Sequence, residues 1–490
     1  MMNVLFTSAE VDPFAKVGGL ADVVGSLPKA LRQHGIDARV LMPDYGFLDK
    51  HRWGARYLLS FELQRRTGLT HCELYTAEYE GVPIYFVRGM PYFGTESSVY
   101  QGWETDVPRF VFFSQAALAA CDALRTQQGW MPDIVHAHDW HTGLIPFLVS
   151  RARQEQIEWA HVGTMYTIHN MAYQGDYVGG WMYEYGIPAR EHPELQRYGK
   201  TDNLMGIALA YSDVITTVSP RYSIEIQYPH QGYGLDLLLR SRMLDLYGIL
   251  NGIDVDHWNP ETDRFLVSPF NADNFRQNRL PNKKQLQEDA GLPVRESVPV
   301  IGLVSRLVWQ KGIDLAVDPL REVLSTRDVQ FVALGAGEAD VEGKLWQIGQ
   351  DFRDKARIYM GYNAAMAQRI YGGCDLFLMP SRYEPCGVGQ MLAMHYGALP
   401  LVRATGGLAD TVINYDNGAA DSGTGFVFEW ESSDAVVGTL RWALQTYREQ
   451  PAAWARMQER AMRVDFSWTR SASEYITLYE QINKRREPHS

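Results

Sequence analysis

Short apolar runs, each followed by a polar or glycine-bearing turn and in many cases by a stretch of helical periodicity, recur along nearly the whole chain. In the first half they fall at Asn3–Ser8, Ala38–Met42, Ile84–Val87, Ile134–Ala137, Met165–Ile168 and Val214–Val218. In the second half they fall at Val300–Ser305, Val329–Leu334, Ile358–Met360, Leu376–Met379 and Ala398–Val402. Runs of this length bounded by turn residues have the pattern of strands buried on both faces, and their alternation with helices requires a parallel sheet covered on both sides. The fold class is therefore α/β, built from doubly wound sheets. Residues 45–110 are richer in aromatics and less regular, and read as a β-rich excursion. In open α/β sheets ligands bind just beyond the carboxyl ends of strands, so the residues that follow each run are the ones to read for chemistry.

A chain of 490 residues is too long for one ordinary core and predicts two domains. The periodic pattern gives way to Asn, Asp and Pro between Asn251 and Asp263, a boundary signal. We expect a first Rossmann-like domain over residues 1–255, a second over 256–465, and a C-terminal segment, 466–490, whose stretch Trp468–Lys484 has helical spacing. Arg485–Ser490 reads as a frayed tail. The formal charge of -12 argues against a nucleic-acid surface, which needs clustered Lys and Arg. The sequence reading finds no apolar segment long enough to cross a bilayer. The four cysteines are dispersed, and the first strand begins at Asn3, which leaves no room for a leader peptide. A reducing, cytoplasmic setting is the expectation.

Several strand ends carry groups with chemistry. Lys16-Val17-Gly18-Gly19 follows the first strand; it is neither G-x-G-x-x-G nor a P-loop, and serves as an anion-binding turn or as a turn that binds nothing. His136-Ala137-His138-Asp139-Trp140-His141 invites a metal reading, but alternation along a strand sends His136 and His138 to one face and Asp139 to the other. His169 follows another strand. Arg306 and Lys311, beyond the strand at Val300–Ser305, offer a planar fork and a point charge to one anion; solvated surface charges are the alternative. Gly335-Ala336-Gly337 reads as a loop, and Tyr362 follows a further strand. Pro380-Ser381-Arg382-Tyr383-Glu384-Pro385-Cys386-Gly387 places a carboxylate past the end of Leu376–Met379. Thr405-Gly406-Gly407 exposes backbone N–H groups at a helix start, where anions bind.

The Glu-Pro-Cys-Gly turn, the Thr-Gly-Gly-Leu-Ala-Asp-Thr-Val stretch after it and Lys16-Val17-Gly18-Gly19-Leu20-Ala21-Asp22-Val23 far upstream resemble the bacterial glycogen synthase and plant starch synthase family. The resemblance implies the GT-B fold, two Rossmann-like domains facing across a cleft. The first domain would be the glucan acceptor side, the second would bind the donor, and 466–490 would cross back onto the first. It further implies retaining transfer of glucose from ADP-glucose to the non-reducing-end 4-hydroxyl of an α-1,4-glucan. In the same implied scheme Lys16, with Gly18, Gly19 and Asp22 of its motif, serves the donor. Asp139 and Asn251 contact its sugar, His169 lies near the reacting carbon, and Tyr362 stacks on the base or packs. Arg306 and Lys311 bind the diphosphate. Glu384 is the carboxylate at the sugar, with Cys386 and Gly387 in its turn and Thr405, Gly406 and Gly407 in the following one.

Breaking a glycosyl–phosphate bond leaves an oxocarbenium-like sugar and a more negative diphosphate, so cationic and N–H groups must face the phosphate. The residues above would do so with no metal and no cofactor. Related retaining enzymes carry a second glutamate eight positions after the first; here Leu392 stands there, which favours an orienting role for Glu384 over a two-carboxylate mechanism. Domain closure on the donor is expected to exclude water. Three other readings stay open: a non-catalytic glucan-binding scaffold of the same family, the same reaction with UDP-glucose, and a nucleotide-dependent oxidoreductase with which the glycine loops disagree. A homo-oligomer is compatible with all of these, and neither nucleic acid nor a membrane is an expected partner.

Overall fold

The computed structural model describes residues 1–66, 68–419 and 421–486. The chain divides into two compact units, Met1–Gly252 with Trp468–Ser490, and Ile253–Ser467. The first unit holds strands β1 (Asn3–Thr7), β2 (Asp37–Pro43), β3 (Arg56–Arg65), β4 (Gly68–Tyr79), β5 (Val82–Arg88), β6 (Ile134–His138), β7 (Gly163–Ile168), β8 (Val214–Thr217) and β9 (Leu246–Gly248). Among the described residues they form one sheet in the order β3-β4-β5-β2-β1-β6-β7-β8-β9. Its neighbours are parallel except for β3–β4 and β4–β5. Strands β6, β7 and β8 are buried at every position, which is why they read as continuous apolar runs. β3 and β4, toward one edge, mix buried and exposed positions. The excursion over 45–110 is thus strand only from Arg56 to Arg88, and a helix, Trp103–Gln128, takes up its end.

That helix corrects a second expectation: it is long and apolar enough by length and composition to span a bilayer. Its most apolar window is 72% buried in the protein, and it carries a buried ion pair between Arg109 and Asp106. It is packed as a core helix.

The second unit holds β10 (Val300–Leu307), β11 (Gln330–Gly337), β12 (Ala356–Met360), β13 (Leu376–Met379), β14 (Leu399–Arg403) and β15 (Phe426–Phe428). These are all parallel, in the order β12-β11-β10-β13-β14-β15. Gly335-Ala336-Gly337, expected as a loop, completes β11, and Arg306, expected beyond the strand, lies inside β10. The local glycine and charge signals gave way to strand pairing, since Arg306 pairs with Ala336 and Leu307 with Gly337.

Both sheets share one topological property. The chain leaves β1 toward β2 and later re-enters on the other side of β1 as β6; likewise it leaves β10 toward β11 and re-enters on the other side as β13. The two connections therefore diverge at the β1/β6 and β10/β13 boundaries, opening a crevice at the strands' carboxyl ends. The final helix, Trp468–Arg486, belongs to the first unit. Ser471 Oγ donates to the Leu250 carbonyl at 2.6 Å, and Arg485 pairs with Asp245 at 2.8 Å. Arg485 and Arg486, expected in a frayed tail, are thus the helix end; residues 487–490 lie outside the described residues.

Candidate active site

At the β10/β13 switch point the chain brings Lys311 and Glu384 together. Lys311 ends a short 3-10 turn, Trp309–Lys311, after β10, and Glu384 lies in the turn after β13. Lys311 Nζ is 2.6 Å from Glu384 Oε2, which also accepts from Ser381 Oγ at 3.0 Å. The carboxylate side chain is 6% exposed and the ammonium 17%. The hydrogen bonds that hold the carboxylate among the described residues both fall on Oε2 and leave Oε1 for a ligand. Arg306 is exposed, and its guanidinium makes no hydrogen bond or ion pair among the described residues. Tyr362, after β12, is 88% exposed.

Arg382 fixes how these two turns meet. Its guanidinium binds Asp314 through both terminal nitrogens at 2.7 and 2.8 Å, Glu431 through Nε at 2.9 Å, and the Trp309 carbonyl at 2.8 Å. Its backbone N–H donates to the Gln310 carbonyl at 2.9 Å. One planar fork thereby staples the Lys311 turn to the Glu384 turn. The sequence reading passed over Arg382, because its partners lie up to 73 residues away and an isolated arginine in a turn carries no local signal of them.

In the glycine pair after β14, the Gly407 N–H is engaged within the chain. Helix Gly406–Thr411 has six residues, with Thr405 as its N-cap residue. The Gly407 N–H donates to the Glu384 carbonyl at 3.1 Å and the Pro385 carbonyl at 3.3 Å, so it is spent on the neighbouring turn. Gly406 adopts φ +43, and a Cβ there would collide with the Glu384 carbonyl oxygen; one at Gly407 would collide with the Cys386 backbone. Glycine is required because two backbones are in contact. Gln390 closes the same junction, with Nε2 at 3.1 Å from the carbonyls of Cys386 and Gly387 and from Thr411 Oγ1. Cys386 is buried.

In the first unit the loop after β1 likewise satisfies itself internally. Glu10, 4% exposed, accepts the Val17 and Gly18 N–H groups on Oε2, each at 2.8 Å, and the Tyr100 hydroxyl on Oε1 at 2.5 Å. The expected anion donor Gly18 is therefore already engaged by a carboxylate of the chain. Lys16 pairs with Asp22 at 2.5 Å and Asp12 at 3.4 Å. Burial opposes the Lys16 ammonium, but the two carboxylates outweigh it and hold its pKa above the ordinary value. Asp22 is thus a partner of Lys16 in this structure, and Gly19 opens the helix Gly19–Gln33 with open space around it. Glu10 and Tyr100 were missed in the sequence because they lie 90 residues apart.

On the other side of the β1/β6 switch point, His138 and Asp139 both reach His169. Asp139 Oδ1 accepts the His169 backbone N–H at 2.7 Å, and Asp139 itself sits at φ +54, a conformation that costs energy for a residue with a Cβ and recurs at functional sites. His138 Nδ1 is 3.0 Å from His169 Nε2. His136 lies between the Tyr479 hydroxyl of the final helix, at 2.7 Å, and Thr167 Oγ1, at 2.6 Å, while His141 stacks on Tyr100. The His136 and His138 rings share a face, 4.2 Å apart, yet the histidines make separate contacts, and no group of three or more His, Cys, Asp or Glu able to hold a metal occurs among the described residues. Asn251 is buried, and its Oδ1 has no partner among the described residues.

Burial keeps these rings neutral. It pushes His169 down to about 3 and, with the charges of His169 and Arg109, His141 also to about 3; His136 and His138 are lowered too. Burial raises Asp139 to about 7 against the pull of the His169 and Asn170 N–H groups. Stability is therefore expected to fall as the pH drops from 6.5 toward about 3, because the unfolded chain protonates these histidines while the native state does not. Asp139 acts oppositely between about 7 and 3.8, where the native carboxyl holds a proton that the unfolded one has lost, but one carboxyl opposes four histidines. Urea unfolding midpoints at about pH 7.5 and about pH 5 check this; an equal or higher midpoint at the lower pH would contradict a neutral cluster.

The starch synthase catalytic domain family matches residues 3–241, and the glycosyl transferases group 1 family matches residues 284–461. The chain is 41% identical over 491 residues to a glycogen synthase of Geobacillus thermodenitrificans, covering 99% of each chain. It is 41% identical over 487 residues to glycogen synthase 1 of Synechocystis, covering 98% of this chain and 95% of that one. The catalytic domain of starch synthase IV from Arabidopsis thaliana, solved bound to ADP and acarbose, matches with a TM-score of 0.87 at 33% identity over 99% of both chains. A sucrose-phosphate synthase from Thermosynechococcus elongatus, 16% identical, shares the fold with a TM-score of 0.61.

Proposed function

The chain belongs to the glycogen synthase and starch synthase family of GT-B glycosyltransferases and is a glucan-forming glucosyltransferase, and from that premise we propose that its donor is ADP-glucose. The observation that carries this choice is the ADP held by the Arabidopsis starch synthase, similar to this chain over 99% of its length. Glucose would pass to the 4-hydroxyl at the non-reducing end of an α-1,4-glucan with its configuration retained.

The roles follow from charge and position. As the glycosyl–phosphate bond breaks, negative charge grows on the leaving diphosphate, and a preorganised cation beside it stabilises the transition state more than the ground state. Arg306, exposed and unpaired among the described residues, and Lys311 are suited to that task. Lys311 also neutralises Glu384, so the carboxylate can orient a sugar hydroxyl through Oε1 without an isolated buried charge. Lys16 would exchange Asp22 for a phosphoryl oxygen. His169, Asp139 and Asn251 would bind the sugar, Asn251 through its Oδ1, which has no partner among the described residues. This scheme assigns the diphosphate to cationic side chains and calls on no cofactor.

Incorporation of labelled glucose into glycogen from ADP-glucose and from UDP-glucose, run side by side, tests the donor. We expect kcat/KM to favour ADP-glucose by at least about 10-fold, a difference of about 1.4 kcal/mol. Equal use of both, or preference for UDP-glucose, would overturn the choice. Glucan binding with no transfer from either donor would favour a scaffold.

A further inference from the structure

Two neutral imidazoles in a hydrogen bond share one proton between them, and which ring supplies it determines what the other ring can do with its second nitrogen. His138 Nδ1 and His169 Nε2 stand 3.0 Å apart. If His169 donates, its Nδ1 is a bare acceptor and the His138 proton lies on Nε2. If His138 donates, its Nε2 is bare and the His169 proton lies on Nδ1.

The surroundings of His138 distinguish the two. Its ring is fully buried, stacked on Phe6 at 5.4 Å with 17° between planes and lying 4.2 Å from His136. His136 spends its own nitrogens on Tyr479 and Thr167. His138 Nε2 has no partner among the described residues. A buried N–H without an acceptor is rarer and less favourable than a buried acceptor without a donor, so the arrangement that leaves His138 Nε2 bare is preferred. Asp139, the next residue, holds the His169 main chain through its N–H; His138 and Asp139 thus grip the side chain and the backbone of one residue.

We infer that His138 is a positioning residue that fixes His169 as the Nδ1–H tautomer, making the second ring nitrogen of His169 a hydrogen-bond donor. An N–H so placed can bind an oxygen of the donor sugar or its leaving phosphate, but cannot accept a proton. His169 therefore acts by hydrogen bonding and does not serve as a general base through that nitrogen. The functional part rests on the sugar-binding role proposed for His169; the tautomer does not.

The test uses the full chain labelled with 15N-histidine, with His169→Gln run to assign the His169 signals. The expected result is a protonated, pyrrole-type shift for His169 Nδ1 and a pyridine-type shift for Nε2. In His138→Asn, whose amide can donate from nearly the same place, that pattern should persist and kcat should stay within about threefold. In His138→Leu no donor holds Nε2, so the tautomer should no longer be fixed: the two His169 nitrogen shifts should move toward each other as both forms are populated, and kcat should fall about 10- to 100-fold with a smaller change in KM. A wild-type His169 protonated on Nε2 overturns the inference, as does a His138→Leu variant that keeps either the wild-type shifts or the wild-type kcat. Should that variant fail to fold, the wild-type and His138→Asn spectra still decide. Failure of the donor assignment would show separately, as absent glucose transfer by the parent, and the nitrogen shifts would still settle the tautomer.

Discussion

Replacing Lys311 by alanine is expected to lower kcat for glucosyl transfer by about 10²- to 10³-fold, the loss typical of one preorganised group facing developing negative charge. The structure predicts an accompanying loss of stability. Glu384 is 6% exposed, and Oε2 would retain only Ser381. Stranding a buried carboxylate costs several kcal/mol; because the lysine is itself 17% exposed, water can partly replace it, and about 1–3 kcal/mol is the fitting range. Glu384→Gln should separate the two effects, since it removes the charge that Lys311 neutralises while keeping the side-chain shape. Its stability should stay within about 1 kcal/mol of the parent, while kcat falls at least about 100-fold. Steady-state kinetics and urea midpoints on the two single variants and the double variant would measure the coupling. A Lys311→Ala enzyme that keeps its kcat within about threefold would remove Lys311 from the transition state.

Gly406→Ala should be the most damaging small substitution in the second unit. Its φ is +43, and the added methyl would be driven into the Glu384 carbonyl oxygen, which belongs to backbone and cannot swing aside. Strain of this kind costs about 3 kcal/mol or more. It would be relieved only by parting the turns after β13 and β14, which moves Glu384 away from its position beside Lys311. Stability and kcat should therefore fall together, kcat by at least about 100-fold, since displacement by an ångström can cost that much. Gly343→Ala is the control: it lies in the helix Ala339–Asp351 with open space around its Cβ position, and should be neutral or stabilising by up to about 1 kcal/mol. Urea unfolding of both variants tests the contrast; a Gly406→Ala midpoint equal to the parent's would refute the backbone contact.

The α/β class and the strand runs around which it is built were legible in the sequence, because a strand buried on both faces is a short apolar run wherever it occurs. The residues beyond those runs, such as Glu384, Lys311 and His169, could be singled out by the rule that open sheets bind ligands at their strand ends. What those residues touch was decided only by tertiary structure. Nothing local indicates that Lys311 would meet a carboxylate 73 positions away, or that Glu10 would take the Gly18 N–H expected to face an anion. Nor does it indicate that Gly407 would spend its N–H on the Glu384 carbonyl. A periodicity reports which face of an element avoids water, since burial is set residue by residue. A hydrogen-bond partner depends on which strands are neighbours, and that order, with β6 beside β1 and β13 beside β10, exists only once the sheets have formed.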